Sequence, residues 1–128
     1  MLDTNIVSFL LRNNEQVKAH LRQHRPHDIA LSSITKAELL YGLAKRPEAN
    51  RLHDAVQTLL RSFEILPWSA DKAEHYGRLR ADIEKKGISL SDPDMLIASQ
   101  AVAEELTLIT NDRAFAKVVG LKTADWTR

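Results

Sequence analysis

The sequence predicts an α/β domain built on a parallel sheet with helices on both faces, from three observations. Short apolar runs with β-branched residues fall at Ile29-Ala30-Leu31, Ile65-Leu66 and Leu106-Thr107-Leu108-Ile109-Thr110, the length and character of buried strands. Longer stretches between them carry apolar residues at helical spacing. The strands and helices alternate along the chain, which is the signature of a parallel sheet covered on both sides.

In chain order, Met1-Leu2 reads as the end of a first strand, and Asp3-Thr4-Asn5 has the residue types of the turn that leaves it. Asp3 or Asn5 can also open a helix through Phe9. Helical spacing then covers Val17 to Leu21, Ala37 to Leu43, Leu52 to Leu60, Ala73 to Ile83 and Met95 to Leu106. Thr35-Lys-Ala-Glu38 has the form of a capping box, Ser69 precedes the helix through Tyr76, and Asp92-Pro93 reads as a cap followed by proline at the first helical position. Asn111-Asp112 opens a short last helix through Phe115 and Val118.

A chain of 128 residues, 44% hydrophobic, suffices for a single core without staples, and residues 1–128 are expected to form one domain. It has no cysteine, which excludes disulfides, thiolate metal sites and thiol chemistry. No apolar run approaches the roughly 20 residues that cross a bilayer, and no secretion signal opens the chain; a cytoplasmic location is expected, with no membrane association. Eighteen basic against 17 acidic residues give a net charge of +1, so any affinity for nucleic acid must come from a local patch.

The acids carry the functional signal. Asp3 follows the first apolar pair and Asp112 follows the Leu106–Thr110 run, so in a parallel sheet both project from the carboxyl edge, where open α/β sheets carry their ligand crevice. Glu38 is expected in the first turn of the helix after the Ile29–Leu31 strand, and Asp94 in the first turn of the helix from Pro93. Four carboxylates crowded together repel one another and rise in pKa, whereas a divalent cation keeps them ionised. Oxygen-only ligation selects a hard ion, Mg²⁺ or Mn²⁺. Such an ion activates water and neutralises charge on a phosphate. With no glycine-rich phosphate loop, hydrolysis of a polymeric phosphodiester fits better than nucleotide triphosphate chemistry. Taken singly, Glu38, Asp94 and Asp112 read first as helix-start acids with a structural role, whereas Asp3 at a strand end has no helix to cap unless one opens there, and the competing reading is a non-catalytic interaction module whose acids only cap helices. An aspartyl-phosphate phosphatase using Asp92-Pro93-Asp94 fails on position, because that nucleophile belongs at a strand end.

The chain resembles the PIN-domain ribonucleases, and within them the VapC toxins of bacterial toxin–antitoxin pairs. The resemblance spans nearly the whole sequence. It rests on Met1-Leu-Asp-Thr-Asn-Ile6, Leu31-Ser-Ser-Ile-Thr-Lys-Ala-Glu-Leu-Leu-Tyr-Gly42, the segment from Gly87 to Asp94-Met-Leu-Ile-Ala98, Leu108-Ile-Thr-Asn-Asp112 with Phe115, and Ala124-Asp-Trp126. It implies a three-layer α/β/α sandwich around a parallel sheet, with Asp3, Glu38, Asp94 and Asp112 as catalytic, metal-binding carboxylates. It also implies Mg²⁺- or Mn²⁺-dependent endoribonuclease activity on tRNA or another structured RNA, inhibition of translation, and neutralisation by a VapB antitoxin. A homodimer, and contact with operator DNA only through the antitoxin complex, come with the resemblance. The opening Met-Leu-Asp-Thr-Asn-Ile is similar to the enteric-type members, whose typical target is the anticodon region of initiator tRNA.

Other residues carry weaker expectations. Thr4, Asn5, Thr110 and Asn111 flank two of the acids and are placed to hydrogen-bond carboxylates or bound water, or to serve ordinary turns. Arg78 and Arg80 are candidates for RNA or antitoxin contact, or else solvated charges, as are Arg12, Lys18, Arg22 and Arg25. His20 and His24 have a zinc-compatible spacing but no further ligand nearby and read as surface histidines. Trp68 and Trp126 read as core or dimer-contact residues.

Overall fold

In the computed structural model, which describes residues 1–128, four three-residue strands form: β1 (Ala30–Ser32), β2 (Glu64–Leu66), β3 (Thr107–Ile109) and β4 (Lys122–Ala124). β1 pairs with β2 and β3 with β4, both parallel. Leu2 joins the two pairs, bridging Leu31 on one side and Ile109 on the other, again in parallel. The spatial order is therefore β2, β1, the Leu2 segment, β3, β4. The first segment of the chain lies at the centre of the sheet.

The connections are helical: α1 (Thr4–Leu11) and α2 (Glu15–Leu21) precede β1, α3 (Ser33–Ala44) and α4 (Asn50–Ser62) join β1 to β2, and α5 (Lys72–Lys85) and α6 (Asp92–Ala103) join β2 to β3. Consecutive strand residues point to opposite faces, and the core divides accordingly. Leu2, Leu31 and Ile109 pack with Ile6, Val7, Val17, Leu39, Leu43 and Val56 of α1 to α4. Their neighbours Met1 and Leu108 pack with Ile97, Ala98 and Ala101 of α6 and with Phe115. α5 covers α6 through Leu79, Ile83 and Met95. This is the expected α/β/α sandwich with a central parallel sheet. No helix is long and apolar enough to cross a membrane.

Several boundaries differ from the sequence reading. The cap of α3 is Ser32, whose hydroxyl accepts from the Ile34 N–H at 3.0 Å, because the chain turns directly out of β1; Thr35 is an interior, buried residue of the helix, and Glu38 falls in its second turn. The cap of α6 is Ser91, accepting from the Asp94 N–H at 3.3 Å, which places Asp92 and Pro93 inside the first turn. α5 begins at Lys72, three residues beyond Ser69. It closes on Gly87, whose φ of 67° suits a residue without Cβ and lets the Ile88 N–H reach the Ile83 carbonyl at 3.0 Å. β4 was not expected from its sequence. Asp112 does open a short 3₁₀ turn, Arg113–Lys117, as its position suggested.

Candidate active site

The carboxyl edge of the sheet is built from backbone constraints. The Asp3 N–H donates to the Ile109 carbonyl at 3.0 Å, and the Thr110 N–H donates to the Ala124 carbonyl at 2.9 Å, so Asp3 and the Thr110–Asp112 segment leave adjacent strands together. α3 starts where β1 ends and carries Glu38. α6 follows no strand directly, and its placement depends on the connection after β2. There Gln100 Nε2 donates to the carbonyls of Leu66 and Pro67, both at 3.2 Å, and Trp68 Nε1 donates to the Leu96 carbonyl at 2.8 Å. The Trp68 N–H also donates to Ser33 Oγ at 2.9 Å. One short segment thus ties the helix bearing Asp94 to the helix bearing Glu38.

Asp3 is the most buried of the four acids, 3% exposed. Its Oδ1 caps α1 by accepting from the Ile6 N–H at 2.8 Å, so it has a structural task as well. Burial pushes its pKa up to about 6, and the charges of Asp94 and Asp112 push the same way, against hydrogen bonding from the Thr110 hydroxyl and the Ile6 N–H. No basic side chain pairs with Asp3. Asp112 Oδ1 caps its own turn, accepting from the Ala114 N–H at 2.9 Å, while its N–H donates to Thr110 Oγ1 at 3.1 Å. Glu38 Oε1 accepts from Thr4 Oγ1 at 2.7 Å, and that hydroxyl lies 3.1 Å from Thr35 Oγ1.

The structure therefore brings Asp94 and Asp112 close enough to act on Asp3, and holds Glu38 through Thr4, the neighbour of Asp3. It does not close any three acids into a ready ligand shell. The donor set nonetheless suits a hard divalent cation: the groups are all oxygens, two of the aspartates use one oxygen each as a cap, and the buried Asp3 has acidic neighbours without a compensating positive charge. Thr4 and Thr110 touch the acids directly. Asn5 and Asn111 are exposed, with no side-chain hydrogen bond.

Arg80 is committed internally, donating to Tyr76 Oη at 2.6 Å and to Glu84 Oε1 at 2.9 Å and lying 3.5 Å from Asp92 Oδ1. It links α5 to the first turn of α6. Arg78 is exposed and lines a separate hollow with His75 and Val119. Lys18 and Arg22 sit within 4 Å of Glu15, Arg25 reaches Asp28, and Arg12 covers the Phe9 ring. His20 and His24 stack on Trp126 with centroids 5.6 and 5.1 Å away, covering a core tryptophan with their rings. Sequence reasoning missed Ser33, Thr35 and Gln100 as supports of the site. Only Gln100 left a signal, a polar residue at a position that the helical pattern of Met95 to Leu106 assigns to the interior.

An α/β/α sandwich with acids gathered at the carboxyl edge is the architecture of a known class. A family model described as PIN domain matches residues 1–121, and the chain belongs to the PIN-domain family. Within it, the chain is similar to ribonuclease VapC2 of Rickettsia felis, 35% identical over 134 residues that cover 98% of this chain and 96% of that one. It is similar also to the tRNA(fMet)-specific endonuclease VapC of Shigella flexneri, 32% identical over 127 residues with 98% and 96% coverage. Among solved structures, VapBC2 from Rickettsia felis bound to a DNA fragment from their promoter superposes with a TM-score of 0.91 at 34% identity, covering 98% of this chain and 97% of that one.

Proposed function

We propose that residues 1–128 form a single PIN domain that acts as a Mg²⁺- or Mn²⁺-dependent endoribonuclease, the toxin of a type II toxin–antitoxin pair. The observation that carries this reading is Asp3: a buried carboxylate with a pKa near 6 and two acidic neighbours, on the central segment of the sheet, in a chain whose relatives are named as ribonucleases. Asp3, Glu38, Asp94 and Asp112 hold the cation. When bound, it supplies neutralisation of phosphate charge and a water of lowered pKa. Thr4 and Thr110 orient the carboxylates, and Asn5 and Asn111 stand at the rim. Arg80 fixes the first turn of α6, and Arg78 is left free for RNA or antitoxin.

The substrate is tRNA, with the anticodon region of initiator tRNA as the first candidate from the naming of the Shigella relative, and its cleavage stops translation in the cytoplasm. A VapB antitoxin neutralises the protein and carries the complex to operator DNA, as the Rickettsia assembly suggests. The exposed Leu40 and Tyr41, just past Glu38 on α3, offer apolar surface for a homodimer.

The test is cleavage of total tRNA with Mg²⁺ or Mn²⁺. Asp94→Asn is expected to abolish it while far-UV circular dichroism stays native; retained cleavage overturns the reading. The caps made by Asp3 and Asp112 favour the interaction-module alternative, which expects no rise in melting temperature with Mn²⁺ because nothing binds the folded state.

A further inference from the structure

Beside the acids, between the ends of β3 and β4, lies a hollow of about 260 Å³ whose wall includes Thr110, Asn111, Asp112, Arg113, Asp125 and Arg128. Its size is just below that of pockets for small organic ligands, roughly 300–1,000 Å³, and suits one nucleotide. It shares Thr110 and Asp112 with the acidic cluster, so a polymer strand crossing that cluster meets this hollow within one residue of its backbone.

The charge in the hollow is unevenly committed. Asp125 Oδ1 accepts from the Thr127 N–H at 2.8 Å and from its hydroxyl at 2.6 Å, and Arg128 lies 3.5 Å from Asp125 Oδ2. Asp112 spends one oxygen on its own turn. Arg113 is exposed and makes no ion pair with any carboxylate, although its charge is felt at Asp125. The exposed Asn111 amide beside it is also without a partner. An unpaired guanidinium next to a phosphodiester-cutting edge matches a phosphate in charge and fork geometry, and a free amide can read a base or ribose edge.

Resting on the ribonuclease reading, we propose that this hollow seats the RNA nucleotide adjacent to the bond that is cut, with its phosphate against Arg113 and its base or ribose edge against Asn111. The subsite adjoins the cation ligands, sharing Asp112 with them, and offers in Arg113 a guanidinium that no carboxylate pairs.

The experiment measures binding of a short fluorescein-labelled single-stranded RNA to the Asp94→Asn protein across a salt series. Arg113→Ala in that background is expected to weaken binding about tenfold and to reduce the slope of log affinity against log salt by about 0.7, the share of one phosphate contact on a single strand. Arg113→Lys keeps the slope. Asn111→Ala weakens binding with the slope unchanged, and Arg51→Ala, at the start of α4, changes neither. Unchanged affinity and slope in Arg113→Ala, with a native melting temperature, overturns the inference and leaves the nuclease reading intact if the wild-type protein cuts the same RNA. A wild-type protein that neither binds nor cuts RNA overturns both.

Discussion

The flanks of the sheet and its carboxyl edge are made of different material. On the flanks, Leu2, Leu31, Leu108 and Ile97 are fully buried among other apolar side chains, and each contributes by leaving water. At the edge, the buried residues are Asp3, Ser32, Thr35 and Thr110, which are satisfied by hydrogen bonds or left under electrostatic strain. The flanks are optimised for stability, whereas the edge gives stability up, which is the usual mark of a site arranged for chemistry.

Opposite responses to truncation and neutralisation would bear out that contrast. The largest effect is expected on the flank: Leu31→Ala removes a fully buried side chain between two helices and the Leu2 segment and should cost about 3 kcal/mol by chemical denaturation. A loss below about 1 kcal/mol would mean the two regions do not differ as described.

Neutralising the edge should do the reverse. The pKa of Asp3 is raised from 3.8 to about 6, so below about pH 3 the carboxyl is protonated in both folded and unfolded chains and has no effect. As pH rises from about 3 to 6 the unfolded chain ionises first, and the folded state loses up to about 3 kcal/mol, a loss that persists at pH 7. Asp3→Asn keeps the cap on Ile6 and should raise the melting temperature at pH 7 without added cation, with the gain vanishing near pH 3. A difference between Asp3→Asn and wild type that is the same at both pH values would show that Asp3 is a cap and nothing more.

Smaller effects sharpen the contrast within the edge itself. Thr4→Val deletes the hydroxyl that donates to Glu38 and should lower cleavage about tenfold with little change in unfolding midpoint. Trp68→Phe removes the indole N–H between the β2–α5 connection and α6 but leaves the Leu96 carbonyl accepting from Ser99 Oγ at 2.8 Å, so about 1 kcal/mol of stability is expected to go. A larger drop would make that connection part of the flank instead.

How far the site was legible follows from the same division. Apolar runs announced β1, β2 and β3, and the helical spacing announced all the long helices, because burial on a face writes a period into the sequence. β4 went unseen because Lys122-Thr-Ala124 is an edge strand with no buried residue and has no apolar period to show. The caps of α3 and α6 were misplaced because Ser32, Ser33 and Thr35, like Ser91 and Asp92, are all competent caps, and only the direction in which the chain leaves the sheet selects among them. The four acids were visible as strand-end and helix-start residues. Their electrostatic coupling, and the Gln100 and Trp68 bonds that set α6, arise from contacts between distant segments and leave no local trace.

The central place of Leu2 has a consequence for how the protein comes into being. Its neighbour on one side is Ile109, so the middle of the sheet cannot close until nearly the entire chain has left the ribosome, and contacts of such long range are slow to form. Asp3 and Asp112 meet only at that step. The acidic edge is therefore among the last parts of the molecule to assemble, and a chain cut short before Ile109 lacks the strand that brings Asp112 beside Asp3.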